Sequence, residues 1–141
     1  MDYTAMSAQP LRRQTLVLVT DQFQCERIIK AGRAIAGITH TQLRVFHICA
    51  EGRTGDPAAL QFLFNSAKQN GSVLEIAYSN DFIGAITETI ESSNTVNVIT
   101  GQPGDEDSIL YTLWERFPGI KFFTADPEGR LELVSTVRVA D

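Results

Sequence analysis

Five short apolar runs, at 15–20, 43–48, 73–78, 96–100 and 120–124, alternate along the chain with segments of helical period. The runs are continuous rather than alternating, as in Leu16-Val17-Leu18-Val19. That pattern marks strands buried on both faces of a parallel sheet. Between the runs, Ile28, Gly32, Ile35 and Ala36 recur at helical spacing over 25–38, and Leu60, Leu63, Phe64 and Ala67 trace a second apolar stripe. Phe82, Ile83, Ile86 and Ile90 make a third stripe, and Leu110, Leu113, Trp114 and Phe117 a fourth. Strand–helix units of about 25–30 residues imply βαβ crossovers, whose right-handedness places helices on both faces of the sheet. The expected fold is an α/β, three-layer α/β/α sandwich around a five-stranded parallel sheet.

The punctuation between elements agrees with this frame. Asp56 before Pro57 is a helix-start signal, and Asn70-Gly71 is a stop. Ser79-Asn80-Asp81 supplies caps for the third helix. Gly101 to Asp107 reads as a loop that runs directly into the fourth helix, with Asp105, Glu106 and Asp107 in its first turn. Pro118-Gly119 ends that helix. Gly32 falls on an apolar stripe, where close packing against the sheet is the reason to expect a glycine. After a turn at 126–129 the chain is extended over 131–139, with β-branched residues and no helix following. That segment is expected at the sheet edge, as a hairpin with the fifth strand or extended outward to pair with a second copy.

A chain of 141 residues suits one domain, expected over 15–141 behind a poorly ordered leader at 1–14. With 43% hydrophobic and 21% charged residues it is too apolar for a disordered chain. A net charge of −5 argues against a general nucleic-acid binder or a polybasic membrane-surface protein, both of which need basic excess. No apolar run reaches the roughly 18–20 residues that span a bilayer, and Asp21 interrupts the one run preceded by Arg12-Arg13. Cys25 and Cys49 are too few for a disulfide framework or a zinc site, and two reduced thiols in a cytoplasmic protein are expected.

Open parallel sheets bind ligands at the carboxyl ends of their strands, where the strand order reverses. The loops at 20–25, 49–57, 79–81, 101–107 and 124–130 are therefore the places to find a site. The G-x-x-G of Gly101-Gln102-Pro103-Gly104 precedes a helix start, whose free N–H groups attract anions. The three acidic residues after it suit the helix dipole and repel a polyphosphate. A phosphate loop and a plain strand–turn–helix junction both remain open. His47 could serve as a base, a ligand contact or a satisfied structural histidine. Cys25, near a helix start, could be activated or incidental, with no second cysteine close in sequence.

Three places make the chain similar to the universal stress proteins, in particular the stress-protein-like domain of potassium-sensing histidine kinases. They are Leu16-Val17-Leu18-Val19-Thr20-Asp21 with Glu26 to Gly32, then Leu43-Arg44-Val45-Phe46-His47-Ile48, then Gly101 to Gly104. The resemblance implies the strand order 3-2-1-4-5, dimerisation through the last strand and, in one branch, ATP binding. It implies that Asp21 helps hold adenine and ribose, where the residues alone allow equally a loop carboxylate or cap. In the nucleotide-binding branch the loop continues to a Gly followed by Ser or Thr, and here Trp114-Glu115 stands in that place. The resulting expectation is a non-catalytic small-ligand-binding or signalling module with weakened or lost ATP binding and no required cofactor. Its alternative is a working adenine-nucleotide binder. Asp21, His47, Gly101 and Gly104 are the candidate binding residues, and a homodimer is the expected assembly.

Overall fold

Strand β1 (Gln14–Leu18) lies in the middle of the sheet because its side chains are apolar toward both layers: Leu16 and Val17, adjacent and pointing to opposite faces, are both fully buried. The computed structural model describes residues 12–134. In chain order the elements after β1 are α1 (Glu26–Thr39), β2 (Gln42–Cys49), α2 (Pro57–Gln69), β3 (Leu74–Tyr78), α3 (Phe82–Glu91), β4 (Thr95–Gly101), α4 (Ile109–Arg116), β5 (Lys121–Ala125) and β6 (Leu131–Leu133). A single 3-10 turn, Phe23–Cys25, leads into α1. The sheet order is β3-β2-β1-β4-β5-β6. The first five strands pair in parallel, and β6 returns antiparallel on β5.

Two apolar layers enclose the sheet. On one face Ile28, Ile29 and Ala36 of α1 and Leu63 and Ala67 of α2 pack on Val17, Val45 and Ile99. On the other, Ile86 and Ile90 of α3 and Leu113 of α4 pack on Leu16, Phe46, Val98 and Phe122. The expected sandwich is therefore the fold found. Gly32 is close-packed as its position implied: a Cβ there would lie 2.2 Å from Val17 Cγ2. Asp56 caps α2, its carboxylate accepting the N–H groups of Ala58 and Ala59 at 3.0 and 3.2 Å. Asp81 caps α3 through the Gly84 N–H.

At the amino-terminal ends of β1 and β4 a buried polar cluster fastens the sheet to the last turn of α1. The Asn97 amide donates to the hydroxyls of Thr15 and Thr39, at 3.0 and 3.1 Å. Thr39 in turn donates to the Ile35 carbonyl. A register shift in β4, which sets Gln14 opposite Thr95 but Thr15 opposite Asn97, brings the amide to this position.

Two boundaries depart from expectation. β1 begins at Gln14, inside the span assigned to a leader, because Gln14 N–H donates to the Asn94 carbonyl at 2.8 Å. Residues 1–11 lie outside the described residues. α4 begins at Ile109 rather than at the acidic run, because Ser108 is its cap, accepting the Leu110 N–H at 3.2 Å. The C-terminal segment forms the hairpin over Leu131–Leu133, and 135–139 lie outside the described residues. Among the described residues no helix is long and apolar enough to cross a membrane.

Candidate functional site

The chain crosses from β1 through α1 to β2 on one side, and later returns from β3 through α3 to β4 on the other side of β1. The loops that leave the carboxyl ends of β1 and β4 therefore diverge, and a cleft of about 650 Å³ opens between them. That volume falls within the range of small-molecule sites. The cleft sits where the topological rule places it.

The two walls differ in character. Leu18, Phe46, Ile48, Phe82, Ile86 and Ile109 make an apolar floor and side. Thr20, Gln22, Gln24 and Thr100 bring polar groups to the lining. Arg27, on the first turn of α1, is the one cationic residue in the lining, and no carboxylate lines the cleft among the described residues. The Arg27 side chain is held at two points. Nε donates to the Asp126 main-chain carbonyl at 2.8 Å, and Nη1 to the Gln24 carbonyl at 2.7 Å. Nη2 lies over Gly101, 3.7 Å from the position a Cβ would take.

Of the four residues singled out in sequence, the structure brings Gly101 and Gly104 to this cleft. Gly101 is the last residue of β4, paired with Ala125, rather than the first of a loop. Asp21 and His47 are not in the lining. The Asp21 carboxylate instead accepts the Asp56 main-chain N–H at 2.8 Å and fastens the loop ahead of α2. His47 lies within β2, which runs on to Cys49. Alternation along β2 puts His47 on the face of Val45, whereas Phe46 and Ile48 face the other way and reach the cleft. His47 Nδ1 donates to the Val19 carbonyl at 3.0 Å, since a carbonyl can only accept. Its Nε2 is buried with no partner among the described residues.

Asp105, Glu106 and Asp107 form an exposed turn ahead of α4, not its first helical turn. The Asp105 carboxylate accepts the Asp107 N–H at 2.9 Å. The turn that carries the three carboxylates joins two lining residues, Gly104 and Ile109. The Leu110 N–H, which an anion could have used, is occupied by Ser108. Cys25 lines the cleft, is buried, and lies 3.4 Å from the Thr20 hydroxyl. Cys49 donates to the Arg53 carbonyl at 3.3 Å. Both thiols are free. Among the described residues no group of three or more His, Cys, Asp or Glu is placed to hold a metal ion.

No motif in the sequence marks Arg27 as a binding residue, and Phe82 and Ile86 stand there only as part of an apolar stripe. The signal for Arg27 is its place in the first turn of the helix that follows the first strand, at the end of the sheet where ligands sit. The chain matches no protein-family model and no curated protein.

Proposed function

We propose that the protein is a non-catalytic small-ligand-binding or signalling module of the universal-stress-protein type. Its ligand occupies the cleft between β1 and β4, and ATP binds there weakly or not at all. The observation that carries this reading is the 650 Å³ cleft at the switch point with one cation and an apolar floor. The strand order is the one the resemblance implies. Gly101 and Gly104 favour the second reading, an adenine-nucleotide site, because both line the cleft. Three features weigh against it. Asp21 is engaged with Asp56. A triphosphate would meet a single arginine, and it would approach the turn of Asp105, Glu106 and Asp107.

The non-catalytic reading rests on what surrounds the nucleophiles. Cys25 lies against the Thr20 hydroxyl, and the His47 imidazole, whose Nδ1 donates to the Val19 carbonyl, is not among the residues that line the cleft. The free thiols suit a reducing compartment, and we place the protein in the cytoplasm. We further propose a homodimer through the outer edge of β6, where Leu133 is half-exposed.

Calorimetric titration with ATP and with AMP tests the main reading. No measurable heat, or millimolar affinity, is expected for ATP. A dissociation constant in the low micromolar range would overturn weak ATP binding and favour the nucleotide site.

A further inference from the structure

We infer that the cleft takes an organic acid with an apolar body, its single carboxylate seated on Arg27. This rests on the reading that the β1/β4 cleft is the ligand site. Two features of Arg27 carry it. First, both hydrogen-bond partners of its guanidinium are neutral main-chain carbonyls, on Asp126 and Gln24. They fix the plane of the group without neutralising its charge, and Arg27 is in no ion pair among the described residues. The nearby Asp126 carboxylate is itself engaged elsewhere, with the N–H groups of Glu128 and Arg130 and with Arg130 Nε. Second, Nη2 has no partner among the described residues and lies over the bare Cα of Gly101 at the cleft wall. An oriented guanidinium with a donor left over is suited to a carboxylate oxygen.

The rest of the lining sets the class of acid. Leu18, Phe82, Ile86 and Ile109 offer the body of the ligand aliphatic and aromatic surface. A second or third negative charge on the ligand would have no cation to meet in the lining. The turn between the lining residues Gly104 and Ile109 carries three carboxylates, which oppose added negative charge. A monoanion gains the arginine and suffers least from that turn.

The test uses the intact chain and two probe pairs that differ only in charge: octanoate against octanamide, and 2-naphthoate against 2-naphthamide. Affinities are measured by calorimetry and by two-dimensional NMR, which follows the Arg27 Nε–H signal directly. Each acid is expected to bind about tenfold more tightly than its amide, as a charge-assisted hydrogen bond provides. Only the acids should move the Arg27 signal. In Arg27→Gln the acid and the amide should bind alike. In Phe82→Ala, which trims a half-exposed residue at the cleft, both should weaken by the same factor. If acid and amide bind the unaltered protein equally and both weaken in Phe82→Ala, the carboxylate inference falls and the cleft reading stands. If no probe binds, or binding ignores Phe82→Ala, the cleft reading falls with it. Should Arg27→Gln fail to fold, the acid-to-amide ratio and the Arg27 signal of the unaltered protein still decide.

Discussion

The Asp21 carboxylate accepts the main-chain N–H of Asp56 at 2.8 Å, joining the end of β1 to the cap of α2 across 35 residues of chain. Asp56 then caps α2 with its own side chain, so two acidic residues act in series to hold one loop. Gly55 completes the arrangement. A Cβ at that position would lie 2.9 Å from Leu60 Cδ1 and 3.2 Å from Asp21 Oδ2.

Asp21→Ala is expected to lower stability by about 1 kcal/mol, the usual net worth of such a bond. Asp21→Asn, which keeps an acceptor oxygen, should lose less. Because Asp21 does not line the cleft, neither variant should change ligand affinity there. Urea denaturation and probe titration of both variants check this; a large loss of affinity in Asp21→Asn would return Asp21 to the binding site.

The two glycines of α1 should respond in opposite directions to alanine. At Gly32 the new Cβ would lie 2.2 Å from Val17 Cγ2 and 3.2 Å from Leu43 Cδ1, so the buried Val17 side chain or the helix must shift. A loss of about 1–3 kcal/mol is expected for Gly32→Ala. At Gly37 nothing lies within 4 Å of the new Cβ. Gly37→Ala should gain about 0.5–1 kcal/mol through helix propensity alone. Thermal unfolding of the pair measures both signs.

The hairpin turn should be sensitive to acid. The Asp126 carboxyl is held below its ordinary value of 3.8 chiefly by the main-chain N–H of Arg130, with the Arg130 guanidinium and the Glu128 N–H adding to the effect. A carboxyl whose pKa is depressed by folding contributes stability that is present above its unfolded pKa. That contribution is lost as pH falls through the lower, folded value. Backbone NMR of residues 126–131 should therefore stay native-like at pH 5 and broaden or shift only below about pH 4. Asp126→Asn should blunt that transition. A carboxyl resonance of Asp126 titrating above the ordinary range would contradict the assignment.

Dimerisation through β6 has a backbone-specific test. The Val134 N–H donates inward, to the Phe122 carbonyl at 2.8 Å. By alternation the Leu133 N–H points away from β5. Leu133→Pro should leave the hairpin bonds in place and remove a donor from the outer edge. Sedimentation of the intact chain is expected to show a dimer, and of Leu133→Pro a monomer. A dimer that survives the substitution would place the interface elsewhere.

The layered fold was legible in sequence because its signals are local. A continuous apolar run such as Leu16 to Val19, or the stop at Asn70-Gly71, is recognised by neighbours in the chain. Gly71 does adopt the left-handed conformation that a stop requires, with φ of 81°. The acidic run at 105–107 misled for the same reason. Acidic residues suit a first helical turn, but the Ser108 hydroxyl caps the following residues and moves the start of α4 to Ile109.

The sequence by itself determined the kind and order of the elements, because helical and strand periods are read over a few residues. It also placed a crevice at the carboxyl ends of the strands, since the reversal of strand order in a parallel sheet opens one there. Only the tertiary structure decided which side chains meet in that crevice. His47 and Phe46 are adjacent in the chain, yet the pleat sends one to the Val45 face and the other to the cleft. Arg27 is the charged member of the cleft lining, held there as its Nε reaches the Asp126 carbonyl, 99 residues away. Asp21 is not in the lining, and its carboxylate accepts the Asp56 N–H instead. Such pairings depend on register and on the distance between packed elements, and those are set by the packing of the whole core rather than by any short stretch of sequence.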